Sequence, residues 1–422
     1  MNSNFFNLNK SSLINNSFYL YLSYFADYAL TLFLLPFIAT SLGAIEFGKI
    51  GITQTFGLLI ILFMEFGSSL MATREVARIK DDHGKLKEFV EELTTFKILI
   101  LPIAFFATFL VIIFVPIFNN NPHYVAIAFI GALFQGISPS WYFQGIEKMK
   151  KIALSKLFFR LISFILIVLY VKSSSDGWIV LASFSLSNIL ICSYLYFEII
   201  KILGPLKLVR TNQLKFIFGK SIYSFLITII PMIYQNISII VLSIFINPIQ
   251  LGFYYGASRI YRAFNSLYSP ISQAFFPIIS SASVNDNNKT KSRELIRNYF
   301  LLITIVGLFF FLINYLFAEI IISILLGSEF SSANNLLRIF SIVLPLTAVS
   351  NAIGRQWLMV INKDFFYSMS QLFSSLIAFI TFLYLISSFG IKAYPISLIF
   401  YEISTIIMII IFFIKNGRDQ RI

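Results

Sequence analysis

A chain of 422 residues that is 58% hydrophobic and only 12% charged is not a soluble globular protein, in which about a quarter of residues are charged. Its single cysteine, Cys192, excludes an intrachain disulfide, and its two histidines, His83 and His123, stand apart and make no metal site. The net charge of +13 is spread between apolar runs rather than gathered on one face, which excludes nucleic acid as a partner.

The N-terminus, MNSNFFNLNKSS, is polar with one lysine. The apolar run behind it is too long for the core of a cleaved signal, so no cleavage is expected. Apolar runs of about 20 residues, enough to cross a bilayer as helix, then recur to the other end. They fall at 13–41, 46–72, 96–118, 123–146, 152–172 and 177–200, then at 217–246, 249–281, 299–326, 331–361, 365–389 and 391–415. The fold class is therefore an all-α integral membrane protein with about twelve transmembrane helices.

Basic residues set the orientation. Lys10, the segments 74–97, 148–160, 201–220 and 289–297, Lys363, and the tail with Lys415, Arg418 and Arg421 all lie on one side. The other side holds only Lys49, Lys172 and Lys392. Both termini are predicted to be cytoplasmic. The outer loops, such as 119–122 and 247–250, are too short for an outer domain. The longest polar segments, 74–97 and 281–298, are cytoplasmic and follow spans 2 and 8.

That correspondence suggests a repeat. SFYLYLSY begins at Ser17 and SIYSFLIT at Ser221, and each is followed by a glycine-bearing segment, LGAIEFGKIG at Leu42 and LGFYYGAS at Leu251. Two parallel six-span halves, 1–208 and 209–422, would place a path between them.

Several intramembrane polar residues are candidates for that path. In span 7, Ser221, Ser224, Thr228, Pro231, Gln235 and Ser238 recur every three or four residues, lining either a wet path or a helix–helix contact. In span 8, Phe253, Ile260, Phe264, Leu267 and Ile271 make an oily stripe, while Tyr255, Arg259, Arg262, Ser266 and Gln273 make a polar one. The two arginines lie about 12–17 Å along the helix from Leu251. A charge that deep costs about 2.5–3.5 kcal/mol, which an anion-binding role explains. Guanidinium forks suit phosphate oxygens. The bland alternative is a salt bridge to a carboxylate such as Asp27 or Glu402.

In span 10, Arg338 could point into the outer half of a cationic, substrate-binding cavity, and Arg355, near the cytoplasmic end, could belong to that cavity or equally snorkel to headgroups. Asp27, mid-span on helix 1, is either a proton or cation coupling site or a counter-charge for a cationic cavity, with pairing favoured. Glu65 is a cytoplasmic gate or a packing contact, with Arg74 nearby. Glu147 reads as an ion-pairing partner of the basic loop at Lys148, and Glu402 and Glu319 stay unplaced. No phosphate-cradling glycine loop, ligand-spaced Cys/His set or nucleophile–base pair is readable, so no catalysis and no cofactor are expected.

The stretches LGAIEFGKIG (42–51), EFGSSLMATREVA (65–77), SPSWYFQGIEKMKKIA (138–153) and LGFYYGASRIYRAF (251–264), with the later FFPIIS, resemble the bacterial oligosaccharide–lipid flippases of O-antigen, capsule and exopolysaccharide assembly (the Wzx type). The Trp-x-x-Gln-Gly-x-Glu-Lys pattern at 141–148 is the most distinctive. These flippases share a superfamily with lipid II flippases and multidrug and toxin exporters. The resemblance spans essentially the whole chain. It implies two six-helix bundles around a central cavity, alternating access, residence in the cytoplasmic membrane, and an undecaprenyl-pyrophosphate-linked oligosaccharide as cargo. Membrane lipids, a polysaccharide polymerase and a chain-length regulator are the further partners implied. YGASR matches the pattern that carries a functional arginine in lipid II flippases, with one extra glycine, which points to Arg259. Without a catalytic motif, the driving energy is expected from the membrane potential, H+ or Na+. The competing reading is a cation antiporter of the multidrug and toxin exporter type, for which Asp27 is the best argument and the intramembrane arginines the objection.

Overall fold

A computed structural model describes residues 10–209, 234–269, 289–358 and 363–416, with isolated positions at 232, 271, 272, 275 and 279. Every regular element among them is helical. Eight helices are long and apolar enough to cross a membrane, and Tyr234–Phe245 is a shorter apolar one. The all-α membrane architecture thus holds, and Cα packing gathers it into two compact units.

The first unit contains α1 (Lys10–Glu65) up to Leu42 and again from Thr53, followed by α2 (Ser68–Ile79), α3 (His83–Phe114), α4 (Pro116–Asn119), α5 (Pro122–Ile137), α6 (Ser140–Gly145), α7 (Met149–Tyr170) and α8 (Gly177–Leu203). The predicted turn between spans 1 and 2 is a single residue, Gly43, at φ 71° and ψ 171°, a conformation open essentially to glycine alone. Segment 74–97, expected as a polar loop, is helical instead. Most of it forms the end of α2 and the first turns of α3, joined by an elbow at which Asp82 caps α3 by accepting from the Lys85 N–H at 3.1 Å. At 1.5 Å per residue α3 is about 48 Å long, well beyond the hydrocarbon core, so its polar start projects from the membrane.

Span 4 is broken. α5 stops at Ile137, and α6 restarts after Pro139, the residue that cannot donate in a continuing helix. Trp141, Tyr142 and Phe143 of α6 are all buried. α5 packs closely on α8: a methyl at Gly131 would stand 2.3 Å from the Ser185 hydroxyl, which donates to the Ile127 carbonyl at 2.8 Å. Past Leu203 the chain runs out along α3. There the Lys207 N–H donates to Glu91 and the Val209 N–H to Thr95, at 3.0 and 3.2 Å.

The second unit contains residues 43–52 of α1 with α9 (Tyr234–Phe245), α10 (Pro248–Ser266), α11 (Lys289–Leu316), α12 (Ala318–Leu325), α13 (Ala333–Asn351), α14 (Asp364–Phe389) and α15 (Ala393–Asn416). α10 crosses residues 43–52 backbone to backbone. A methyl at Gly252 would stand 2.0 Å from the Ala44 carbonyl oxygen, and one at Gly48 would stand 2.4 Å from that of Pro248. Small residues permit such an approach between helices in lipid. The helix restarting after Gly43 receives an anionic cap, because the Ala44 N–H donates to the Glu329 carboxylate at 3.0 Å. α13 carries Pro345 and continues into a π-helical stretch, Ala352–Leu358. Phe105, Phe106, Ile165, Leu169 and Ile305, Phe309, Ile380 are exposed along these long helices, as a lipid-facing surface requires.

Candidate functional site

In the second unit Tyr255, Arg259, Arg262 and Ser266 all lie on α10, and their surroundings are aromatic. Arg259 Nη2 donates to the Tyr255 hydroxyl at 3.3 Å, and its guanidinium lies 5.1 Å from the same ring, which is itself seated against Gly51. One turn on, Arg262 lies among Tyr254, Tyr255, Tyr261 and Tyr394. Ser266 turns its hydroxyl back onto the Ala263 carbonyl. Glu402, weighed as a counter-charge for these arginines, is held by hydroxyls instead. Thr347 donates to it at 2.8 Å and Ser350 at 2.5 Å, deep inside the unit. Arg338 is half-buried on α13, with no carboxylate at ion-pair distance among the described residues. Gln235 is exposed on α9, and Arg355 lies in the π-helical stretch. Thr228 and Gln273 lie outside the described residues.

In the first unit the structure places cations where the sequence reading saw only a basic loop. Lys156 and Arg160 lie on α7, one turn apart, and both converge on Asp27. Lys156 Nζ donates to Oδ2 at 2.6 Å and Arg160 Nε to Oδ1 at 3.3 Å. Arg160 is also seated on Phe184, 5.6 Å from the ring centre. The expected pairing of Asp27 is therefore present, with cations of its own unit. Glu65 sits in the field of Lys97 and Lys156 rather than that of Arg74, which is exposed. Lys97 is fully buried and donates to the Gly136 carbonyl at 2.7 Å, where α5 breaks. Glu147 pairs with Lys80, the residue that ends α2, at 3.1 Å instead of with its own loop.

The signal for Lys156 and Arg160 was in the sequence. Their i, i+4 spacing falls inside the predicted span 152–172, where two cations on one helical face need an explanation. The hydroxyl cage of Glu402 had no such signal, because Thr347 and Ser350 lie on another helix.

A cavity opens beside this cluster, lined by Tyr19 and Ser23 of α1, Ser140 and Gln144 of α6, and Lys156 of α7. Four residues of the 138–153 stretch, Ser140, Gln144, Met149 and Ile152, thus line the same cavity as the lysine. A family model described as "Polysaccharide biosynthesis protein" matches residues 13–283 of this chain.

The chain belongs to the polysaccharide biosynthesis protein family. Two members bear the name "Putative O-antigen transporter". The one from Escherichia coli (strain K12) is 31% identical over 369 residues, covering 85% of this chain and 87% of the relative. The one from Shigella dysenteriae is 24% identical over 413 residues, covering 95% and 98%. Among solved structures, the lipid II flippase MurJ in its inward closed conformation matches 96% of this chain and 87% of its own, with a TM-score of 0.66 and 17% identity. An inward-facing multidrug transporter of the MATE family, in the MOP superfamily, matches 93% and 98%, with a TM-score of 0.62 and 14% identity. At those identities the likeness concerns the fold. It agrees with the superfamily that the sequence motifs suggest, and the relatives are transporters and flippases, not enzymes.

Proposed function

We propose that this polysaccharide biosynthesis family member is a flippase. It carries an undecaprenyl-pyrophosphate-linked oligosaccharide repeat unit from the cytoplasmic to the outer leaflet of the inner membrane by alternating access, with both termini cytoplasmic. The observation that carries the reading is the transporter name of a relative 31% identical across 85% of this chain. The intramembrane cations give that reading a chemistry. Arg259 and Arg262 on α10 and the Lys156–Arg160 pair on α7 suit a pyrophosphate, which bidentate guanidinium groups bind well. The same cations disfavour the cationic cargo of a multidrug antiporter.

The reading takes its energy from the membrane potential, from H+ or Na+, or from capture of the cargo outside. An inside-negative potential favours an outward-moving anion by ~2.3 kcal/mol per charge per 100 mV. A polysaccharide polymerase and a chain-length regulator are the partners that would capture it. The test is complementation of a deletion strain. The wild-type chain should restore surface polysaccharide, and Arg259→Ala should leave lipid-linked repeat units accumulating. Altered dye resistance with unchanged polysaccharide would favour the antiporter instead.

A further inference from the structure

The cavity of the first unit lies beside an ion cluster in which Lys156 and Arg160 share the single carboxylate of Asp27. Its volume is about 80 Å3. A single water needs ~10–15 Å3 by the same measure, so the space suits one substituent of a larger molecule, not a whole oligosaccharide. Its wall offers two serine hydroxyls, a phenol, a carboxamide and the Lys156 side chain. Of the cations near it, Lys156 alone borders the cavity, and it is shared, donating to Asp27 while lying in the field of Glu65.

The two cations on Asp27 are not equally free. Arg160 is largely enclosed, with 13% of its side chain exposed, and rests on Phe184. Lys156 is 29% exposed and borders the cavity. Lysine is a flexible point charge, whereas arginine is a planar group fixed by its stacking. If Lys156 turns into the cavity, Arg160 still holds Asp27.

We infer that this cavity is an oxyanion subsite, in which a phosphoryl or carboxylate group of the cargo draws Lys156 away from Asp27 while Arg160 retains the carboxylate. Tyr19, Ser140 and Gln144 supply hydrogen bonds to the entering oxygens or to the hydroxyls beside them. Asp27 is then the resident substitute for the cargo's charge, occupying the lysine between transport events. This deepens the flippase reading and rests on it for the identity of the cargo.

The test measures binding of farnesyl pyrophosphate to the purified full chain in lipid nanodiscs, with phosphatidylglycerol as the competing oxyanion. Lys156→Gln should weaken binding about tenfold, the loss of one charge-assisted hydrogen bond. Asp27→Asn should tighten it several-fold, because both cations lose their resident partner. These opposite signs separate a displaceable pair from a structural one. Equal affinity in all three proteins, or a loss in Asp27→Asn matching that in Lys156→Gln, overturns the proposal. So does equal competition by phosphatidylglycerol, which would make the cavity a headgroup site. Should Lys156→Gln not fold, Lys156→Arg is read in its place. Arginine's wider fork, held by Asp27, should bind the probe more weakly than lysine, and unchanged affinity overturns the proposal. The deletion-strain assay is scored apart: if the wild-type chain fails there, the transport reading falls while the probe affinities stand.

Discussion

Gly252 and Ala44 meet so closely that a methyl group on the glycine would lie 2.0 Å from the alanine carbonyl oxygen. Backbone cannot retreat as a flexible side chain can, so Gly252→Val must push α10 off residues 43–52. Overpacking of this kind costs about 1–3 kcal/mol. The expected result is a lowered unfolding temperature of the purified protein in detergent, with Phe253→Leu on the neighbouring position as the mild control.

Lys97 is expected to be structural. Its ammonium donates to the Gly136 carbonyl where α5 ends, and it faces Glu65. Lys97→Met leaves that carbonyl short of a donor and Glu65 without one of its two facing cations, a cost of about 1–3 kcal/mol. Adding Glu65→Gln should recover part of the loss, so a double-mutant cycle on thermal unfolding should be non-additive. Strict additivity would show that the two side chains do not interact.

Glu402 binds through Thr347 and Ser350, each donating to a different carboxylate oxygen. Glu402→Gln replaces one acceptor with a donor that faces a hydroxyl, and Glu402→Leu removes both acceptors. Leu should therefore destabilise more than Gln, by about 1–3 kcal/mol, because two buried hydroxyls lose their partner. Loss of transport in Glu402→Gln with unchanged unfolding temperature would instead mark a functional proton or cation site.

The α2–α3 elbow should loosen in acid. The Lys85 backbone N–H, and then its ammonium, hold the Asp82 carboxyl below the usual carboxylate range. A depressed carboxylate contributes stability that is complete above its unfolded pKa of about 3.9 and is lost as pH falls through the lower folded value. Amide exchange at Lys85 and Leu86 should therefore quicken below about pH 4. In Asp82→Asn, which keeps an acceptor without a titrating charge, that step should vanish.

The long apolar helices were legible because each is a run of lipid-compatible residues, and hydropathy alone finds those. Their true ends were not. Segment 74–97 looked like a loop because its charges lower the hydropathy, yet an amphipathic helix needs only one apolar face. Leu86, Phe89, Val90 and Leu93 supply that face and are buried. The α10 arginines were readable as a stripe because 3.6-residue periodicity is local. The partners of Asp27 were not, since Lys156 and Arg160 come from a helix more than a hundred positions away. Rules for orienting loops by charge also assign basic residues near a helix start to the cytoplasm, which hid both of them.

The crossing at Gly48 and Gly252 sets an order of events during synthesis. Residues 43–52 leave the ribosome early, and the helix that fits their glycine face is made only in the latter half of the chain. Until then that surface must remain unmatched in the bilayer, or be shielded by lipid or an insertion chaperone. A nascent chain stalled before α10 would present that bare groove to its neighbours.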